Sequence, residues 1–359
     1  MNSIVAESPA WRAAHERAVI IQRTDLAIVR VFGRDPVRMV QGLLTNDVAA
    51  LPVGGATYAA LLTPKGRMLA DLRVIRRAGD VLLICDAAAT TNVRDTLRKY
   101  VPPLFARSEN VTDLRILGVY GPQATRVVTA SLDPLTGPAD LGSAVGPEPQ
   151  ATEADRPAAT GTAAGLAGVP EDGGLAATIA GSDVYVVKDL DGGVSGWLII
   201  GSPDTIAAAE SNFGSVTEPA DALTFETLRI EAGRPRWGAE LTEEVIPIEA
   251  GITSRAISTG KGCYTGQEVI IRILHRGHVN WRLMGFRLGD VEPPPPGTQA
   301  FRPGEARAVA RLTSACRSPA LRGTVAMGYV RREIESGTVL RWGSPDGPDA
   351  LVTDLPFVN

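Results

Sequence analysis

Residues 261–268, Lys-Gly-Cys-Tyr-Thr-Gly-Gln-Glu, gather reactive and permissive side chains more densely than any other stretch of the sequence. Cys263 sits among Gly260, Gly262 and Gly266, with Lys261 two positions before it and Glu268 five after. Glycine accepts positive φ and lets other groups approach the backbone closely. A thiol on such a turn, beside a cation, is more accessible and more thiolate-like than a core cysteine. The residues alone leave two readings open. One is a plain turn into the apolar strand or helix opened by Val269-Ile270-Ile271. The other is a reactive cysteine whose pKa Lys261 lowers.

The neighbouring charges also invite chemistry. Between Ser254 and Arg282 the basic residues are Arg255, Lys261, Arg272, Arg276 and Arg282, against the single acid Glu268. Such a local excess in an acidic chain reads either as an anion site or as a solvated face. His275 and His278 follow Cys263 without a fourth ligand and at no standard zinc spacing, so no metal site is expected. Gly260-Lys261-Gly262 is no phosphate loop, because Gly262 stands where Ser or Thr would bind magnesium. Of the other thiols, Cys85 ends an apolar strand and reads as core, whereas Cys316 lies in the polar stretch 313–319 and reads as a surface or loop residue.

At 359 residues the chain is too long for one small core, and two or three domains are expected. A hydrophobic content of 44% and a charged content of 21% belong to a soluble globular chain. The net charge of −4 exerts no pull on nucleic acid or anionic membrane, and nucleic-acid binding is not expected. No apolar run reaches the length of a membrane span. Three distant cysteines and an N-terminus without the apolar core of a signal peptide imply a reducing, cytoplasmic setting. A monomer is favoured.

The elements that must position these side chains are legible in part. Leu26 to Phe32 alternates as a strand, and Asp35-Pro36 opens a helix with a cap and a first-turn proline. Tyr58 to Leu62 reads as a strand and Thr63-Pro64-Lys65-Gly66 as a turn. Met68, Ala70, Leu72 and Val74 then form one apolar face of a strand with Asp71 on the other. Residues 134–178 are nearly all Ala, Gly, Pro, Thr and acids, and read as a disordered acidic insertion. Hairpin strands follow around Asp191-Gly192-Gly193. Asp221 caps a helix whose buried stripe is Leu223, Phe225, Leu228 and Ile230, stopped by Gly233. After Trp281 the chain turns β-rich, predicting a small antiparallel barrel or sandwich.

Five separated pieces, in order, resemble one family. Residues 41–48 (Gln-Gly-Leu-Leu-Thr-Asn-Asp-Val) and Tyr58 with 61–67 (Leu-Leu-Thr-Pro-Lys-Gly-Arg) resemble the N-terminal half of the aminomethyltransferase (glycine-cleavage T-protein) superfamily. Residues 229–233 (Arg-Ile-Glu-Ala-Gly), with 240–243 and 247–251, resemble its central signature. The stretch 261–268 resembles the signature of one branch, the YgfZ-type folate-binding proteins linked to iron–sulfur protein maintenance.

The resemblance implies an α+β fold: two interleaved α/β lobes around a central folate cavity (residues 20–280, carrying the insertion), then a C-terminal antiparallel β-barrel (281–359). It implies tetrahydrofolate or a one-carbon derivative as cofactor. Glu231 occupies the place of the pterin-binding glutamate, where a carboxylate accepts paired N–H bonds from a pterin edge. Tyr58 matches a ligand-lining tyrosine, and Asp71 falls where an aspartate works near the folate nitrogens. Lys261 and Arg276 join the cofactor-binding set. Aminomethyltransferases carry no cysteine at the position of Cys263, and the YgfZ-type branch does. The leading expectation is therefore an accessory protein that helps assemble or repair clusters in iron–sulfur partners through Cys263, with little claim to classical turnover. The alternative is a folate-dependent one-carbon transferase with Asp71 as its proton-transfer group.

Overall fold

The computed structural model describes residues 8–134 and 163–358. The chain opens with α1 (Pro9–Glu16), β1 (Ala18–Gln22), β2 (Leu26–Gly33) and α2 (Pro36–Gln41). It continues with β3 (Ala56–Leu62), β4 (Met68–Arg76), β5 (Asp80–Asp86), α3 (Thr90–Tyr100), β6 (Ala106–Val111), β7 (Arg115–Tyr120) and α4 (Ala124–Ser131). Next come α5 (Ala163–Ala167), β8 (Gly174–Ile179), β9 (Ser182–Asp189), β10 (Gly196–Gly201), α6 (Pro203–Phe213), β11 (Thr217–Pro219) and α7 (Ala222–Glu231). Two helices, α8 (Thr253–Ala256) and α9 (Gln267–Arg276), lead to β12 (Trp281–Gly289). The chain closes with β13 (Gln299–Phe301), β14 (Ala308–Ser318), β15 (Gly323–Arg331), β16 (Val339–Trp342) and β17 (Asp349–Thr353).

Three sheets organise these elements. One runs β3-β4-β5-β2-β6, a second runs β11-β1-β7-β10-β9-β8, and β12-β15-β14-β13-β16-β17 closes into an antiparallel barrel. The first two interleave. Strand β1 sits inside the second sheet beside β7, so the chain starts in that lobe, builds the first through β2–β6, and returns. Leu241, Val245, Ile252, Tyr264 and Ile270 then fold back onto the core of the first lobe. The α+β architecture expected from the sequence is the one observed.

Local chemistry explains the element boundaries. Asp35 accepts from the Arg38 amide and Asp221 from the Thr224 amide, satisfying donors that a helix start leaves open. In β4, Met68, Ala70, Leu72 and Val74 are fully buried, and the strict alternation leaves Asp71 and Arg73 together on the opposite face.

Three expectations are corrected. Residues 163–178 are part of the second lobe: Leu166, Val169 and Leu175 are buried in its core and β8 pairs with β9. The composition there concealed how few apolar residues an edge strand and one short helix need. The rest of the expected insertion, 135–162, lies outside the described residues. Leu223 is 72% exposed, since the first turn of α7 lies toward solvent and burial is concentrated in its last turn, where Leu228, Arg229, Ile230 and Glu231 are enclosed on all sides. Cys316 is buried on β14, packed with Ile230, Val325 and Phe357. The hydroxyls around it, Thr313, Ser314 and Ser318, are polar because they serve buried carboxylates rather than water.

Candidate functional site

The site grows from the polar face of β4. Tyr58 on β3 pairs across the strands with Arg73, and Ala60 pairs with Asp71. Tyr58 and Asp71 are thus diagonal neighbours on one face, and the tyrosine hydroxyl donates to Asp71 Oδ2 at 3.1 Å. Arg73 reaches across to the other lobe. Its Nε and a terminal nitrogen donate to Asp189 Oδ1 at 2.8 and 2.5 Å, and the same terminal nitrogen meets Asp191 Oδ2. Asp189 ends β9 and Asp191 belongs to the glycine-rich turn after it.

Further bonds extend this network. Tyr120 donates to Asp189 Oδ2 at 2.6 Å, and Arg23 donates to the Tyr120 hydroxyl at 2.8 Å. Arg23 also forms a two-pronged pair with Asp25 at 2.9 and 2.7 Å. Arg255 grips Asp172 in the same manner, at 2.9 and 2.7 Å, approaches Asp191 Oδ1 at 3.5 Å, and lies over the Tyr58 ring at 4.5 Å. Planar guanidinium groups suit both jobs, forked pairing with a carboxylate and stacking on an aromatic face.

A cavity of about 800 Å³ opens beside this network, between the two lobes and α7. Asp71, Arg73 and Asp191 line one part of it. Phe225 and Trp237 supply apolar wall, and Arg234 and Arg236 contribute further guanidinium groups. The volume is within the range that takes a drug-sized ligand.

Two carboxyls in this cavity are pushed in opposite directions. Burial raises the Asp71 pKa above its ordinary value despite the opposing pull of Arg73, with the nearby Asp191 adding to the rise and the Tyr58 hydrogen bond lowering it. Burial would also raise Asp191, but Arg73, then Arg255 and Arg23, hold it well below that range. The surroundings therefore favour the ionised form of Asp191 and shift Asp71 toward its protonated form. A pair separated in this way is the usual signature of divided acid and base roles.

Tyr58, expected as a ligand-lining residue, is 2% exposed beneath Arg255 and does not line the cavity, and the remaining expected site residues are elsewhere. Glu231 is 2% exposed and does not line the cavity. Its Oε2 accepts from the Trp11 indole at 2.8 Å, and its Oε1 accepts from the Ser318 hydroxyl and the Ala320 amide. Glu231 is thus a tie between α1, α7 and the barrel, with both oxygens already engaged. Arg229 and Glu240, in the same central signature, form a second tie: a buried pair at 3.0 Å, with Glu240 also accepting from Thr313 and Ser314.

The stretch 261–268 docks on two of the other motifs. Lys261 Nζ donates to the carbonyls of Gln41, Leu44 and Asn46 at 2.6, 2.6 and 2.9 Å. All three ammonium protons are spent closing the turn after α2, and burial pulls the group down to about 8. Lys261 is committed to those carbonyls, which corrects the expected role beside the thiol. Gly266 has φ +84°, and a Cβ there would lie 2.6 Å from the Thr63 carbonyl, so the 63–66 turn seats directly against it. Cys263 is exposed and lines none of the cavities described, whereas Cys85 and Cys316 are buried.

The expected anion cluster is dispersed. Arg255 is paired with Asp172, Lys261 is tied to backbone, Arg282 donates to the Ile334 carbonyl, and Arg272 and Arg276 are exposed on α9. Arg276 takes no part in the cavity lining. Sequence reasoning missed Arg73, Asp189 and Asp191, the residues that build the network. The Asp-Leu-Asp-Gly-Gly run read only as a hairpin turn, although two acids beside a strand end were the available signal.

Known proteins share this fold. Residues 3–140 match the GCVT N-terminal domain, and residues 282–359 match the glycine cleavage T-protein C-terminal barrel domain. The chain thus carries both glycine-cleavage T-protein domains, the N-terminal one and the C-terminal barrel, in that order. The mitochondrial aminomethyltransferase of Gallus gallus is 29% identical over 340 residues, 92% of this chain and 79% of the relative. A chloroplastic protein of Arabidopsis thaliana, named as a putative transferase, is 23% identical over 363 residues, 100% of this chain and 75% of the relative. The glycine cleavage system aminomethyltransferase T of Bartonella henselae superposes with a TM-score of 0.77 over 99% of this chain and 91% of that one. At 21% identity, this structural likeness is one of fold. No helix among the described residues is long and apolar enough to cross a membrane.

Proposed function

We propose that this protein binds tetrahydrofolate, or a one-carbon derivative, in the central cavity, and serves iron–sulfur partner proteins as an accessory factor through Cys263. The observation that carries the binding reading is the cavity beside Asp71, Arg73 and Asp191. Among the described side chains only the Tyr58 hydroxyl donates to Asp71, so the carboxyl keeps acceptor capacity for a ligand. A pterin presents adjacent N–H donors, and the carboxyls of Asp71 and Asp191 are the acceptors that suit them. Phe225 and Trp237 offer flat apolar surface to a ring system, and Arg234 and Arg236 suit the carboxylates of a glutamate tail. When bound, the folate supplies a carrier for one-carbon groups, and Asp71 is the protein group able to hold or release a proton beside it.

Support for the accessory role comes from the branch-like motif 261–268 and from the exposure of its thiol. Cys263 stands outside the cavity, as a thiol that meets large partners must. Such a partner's cluster would be cargo, not a resident group. The second reading, one-carbon transfer on the folate itself, is favoured by the raised pKa of Asp71 and by the aminomethyltransferases among the relatives.

Calorimetric titration with tetrahydrofolate, repeated on Asp71→Asn and on Asp191→Asn, tests the cavity. Micromolar binding that both variants weaken supports it, and no binding by the wild type removes both readings. Cys263→Ala then separates them. Loss of iron–sulfur enzyme activities in a deletion strain carrying that variant supports the accessory role. Full restoration, together with turnover of an aminomethyl donor that Asp71→Asn abolishes, supports transfer.

A further inference from the structure

We propose that the outer face of the first lobe carries a second, separate binding site, for a small phosphorylated anion, between α3 and the edge strand β6. A pocket of about 270 Å³ opens there and shares no lining residue with the central cavity. Arg94 and Arg98, four apart and hence neighbours on one face of α3, line it together with Arg107 and Ser108 from β6. Leu97 and Val101 form part of its apolar floor. Among the described residues no carboxylate lines it.

The charges in this pocket are not spent elsewhere. The Arg94 Nε is buried with no hydrogen-bond partner. Neither the Arg94 nor the Arg107 side chain pairs with any described residue, in contrast to the guanidinium groups of the central network. Arg98 is held only by Asp95, one turn back at 3.1 Å, a largely exposed pair that water screens. A buried cationic donor left unpaired is costly, and a ligand oxygen would remove that cost.

The shape of the charge selects the ligand. Three cationic residues and one hydroxyl-bearing residue around the pocket suit the several oxygens of a phosphate group better than a single carboxylate. The apolar floor and the small volume leave room for a few carbons beyond the phosphate, so the class is inorganic phosphate or a small phosphomonoester.

Titration calorimetry on the full chain at low ionic strength tests this, with inorganic phosphate and phenyl phosphate as probes. Saturable binding of both, tighter for phenyl phosphate, is the expected result. Arg107→Ala and Arg94→Gln should each weaken it about tenfold or more, as loss of a forked contact does, and leave tetrahydrofolate titration unchanged. Equal affinity for the two probes would assign the site to free phosphate. Arg107 is exposed, so its variant decides the matter even where Arg94→Gln fails to fold. Absence of saturable binding, or binding indifferent to both variants, overturns the proposal.

Discussion

The Tyr58 hydroxyl meets Asp71 Oδ2 at 3.1 Å, a contact made possible because β3 and β4 place the two residues on one face, diagonally across the strands. It couples an aromatic ring already pinned beneath Arg255 to a carboxyl whose pKa burial raises. The sign of the resulting pH dependence is fixed. Asp71 holds its proton in the folded state at pH values where the unfolded chain has lost it, since an unperturbed aspartate titrates near 3.9. Across that window the folded state binds more protons, so Asp71 lowers stability as pH rises through it. The stability difference between Asp71→Asn and wild type should therefore move in the variant's favour from pH 4 to pH 7. Urea unfolding at pH 4, 5.5 and 7 measures it, and a difference flat with pH contradicts the assignment.

Arg73 bridges the two lobes, and its partner Asp189 is wholly buried. Removing one member of such a pair strands a charge without water. Asp189→Ala should cost about 3–5 kcal/mol in denaturant unfolding, as buried pairs broken on one side do. Asp191 is 20% exposed at its side chain and lines the cavity, so water can replace its contact with Arg73. Asp191→Ala should cost distinctly less. Equal losses for the two would mean that Asp189 is not the principal counterion.

Glu231 offers a test of structure against ligand binding. Its two oxygens join the Trp11 indole, the Ser318 hydroxyl and the Ala320 amide, bringing α1 and the barrel together on the end of α7. Hydrogen bonds to charged groups contribute about 1.5–3 kcal/mol each. Glu231→Ala should lower unfolding stability by at least about that amount, while the folded protein keeps its affinity for tetrahydrofolate. Trp11→Phe, which deletes a single donor, should show a smaller loss of the same kind. Unchanged stability with abolished binding would return Glu231 to the ligand.

Much of the frame is legible in the sequence because it rests on local rules. The 68–74 alternation set the buried face of β4 and hence the side on which Asp71 emerges. Asp35 with Pro36, and Asp221 ahead of an apolar stripe, announced their helices by local chemistry. The network itself obeys no local rule. Arg73 and Asp189 are 116 residues apart, and no spacing reveals that a hairpin turn in one lobe will meet a strand in the other. Glu231 shows a different limit. A motif marks a carboxylate that matters, and only the packing of α1 shows that an indole and a hydroxyl already hold it. Lys261 repeats the lesson, since adjacency to Cys263 in sequence says nothing of where a long side chain finds its carbonyls.

Cysteine reactivity can be read directly, because the three thiols stand in contrasting surroundings. Cys85 ends an apolar strand, where burial pushes its pKa up to about 12, and Cys316 lies in the core beside the barrel, where burial raises it further. A thiol reacts as its thiolate, so neither should respond to a disulfide reagent at pH 8 while the fold is intact. Cys263 is exposed on a glycine-flanked loop. Titration of the native protein with Ellman's reagent should count a single fast thiol, lost in Cys263→Ser, and three thiols after denaturation in guanidinium. The Cys263→Ser variant should keep wild-type unfolding stability to within about 0.5 kcal/mol, as exposed substitutions generally do. A native count above one would show that Cys85 or Cys316 opens to solvent, and a count of zero would remove Cys263 from any thiol chemistry.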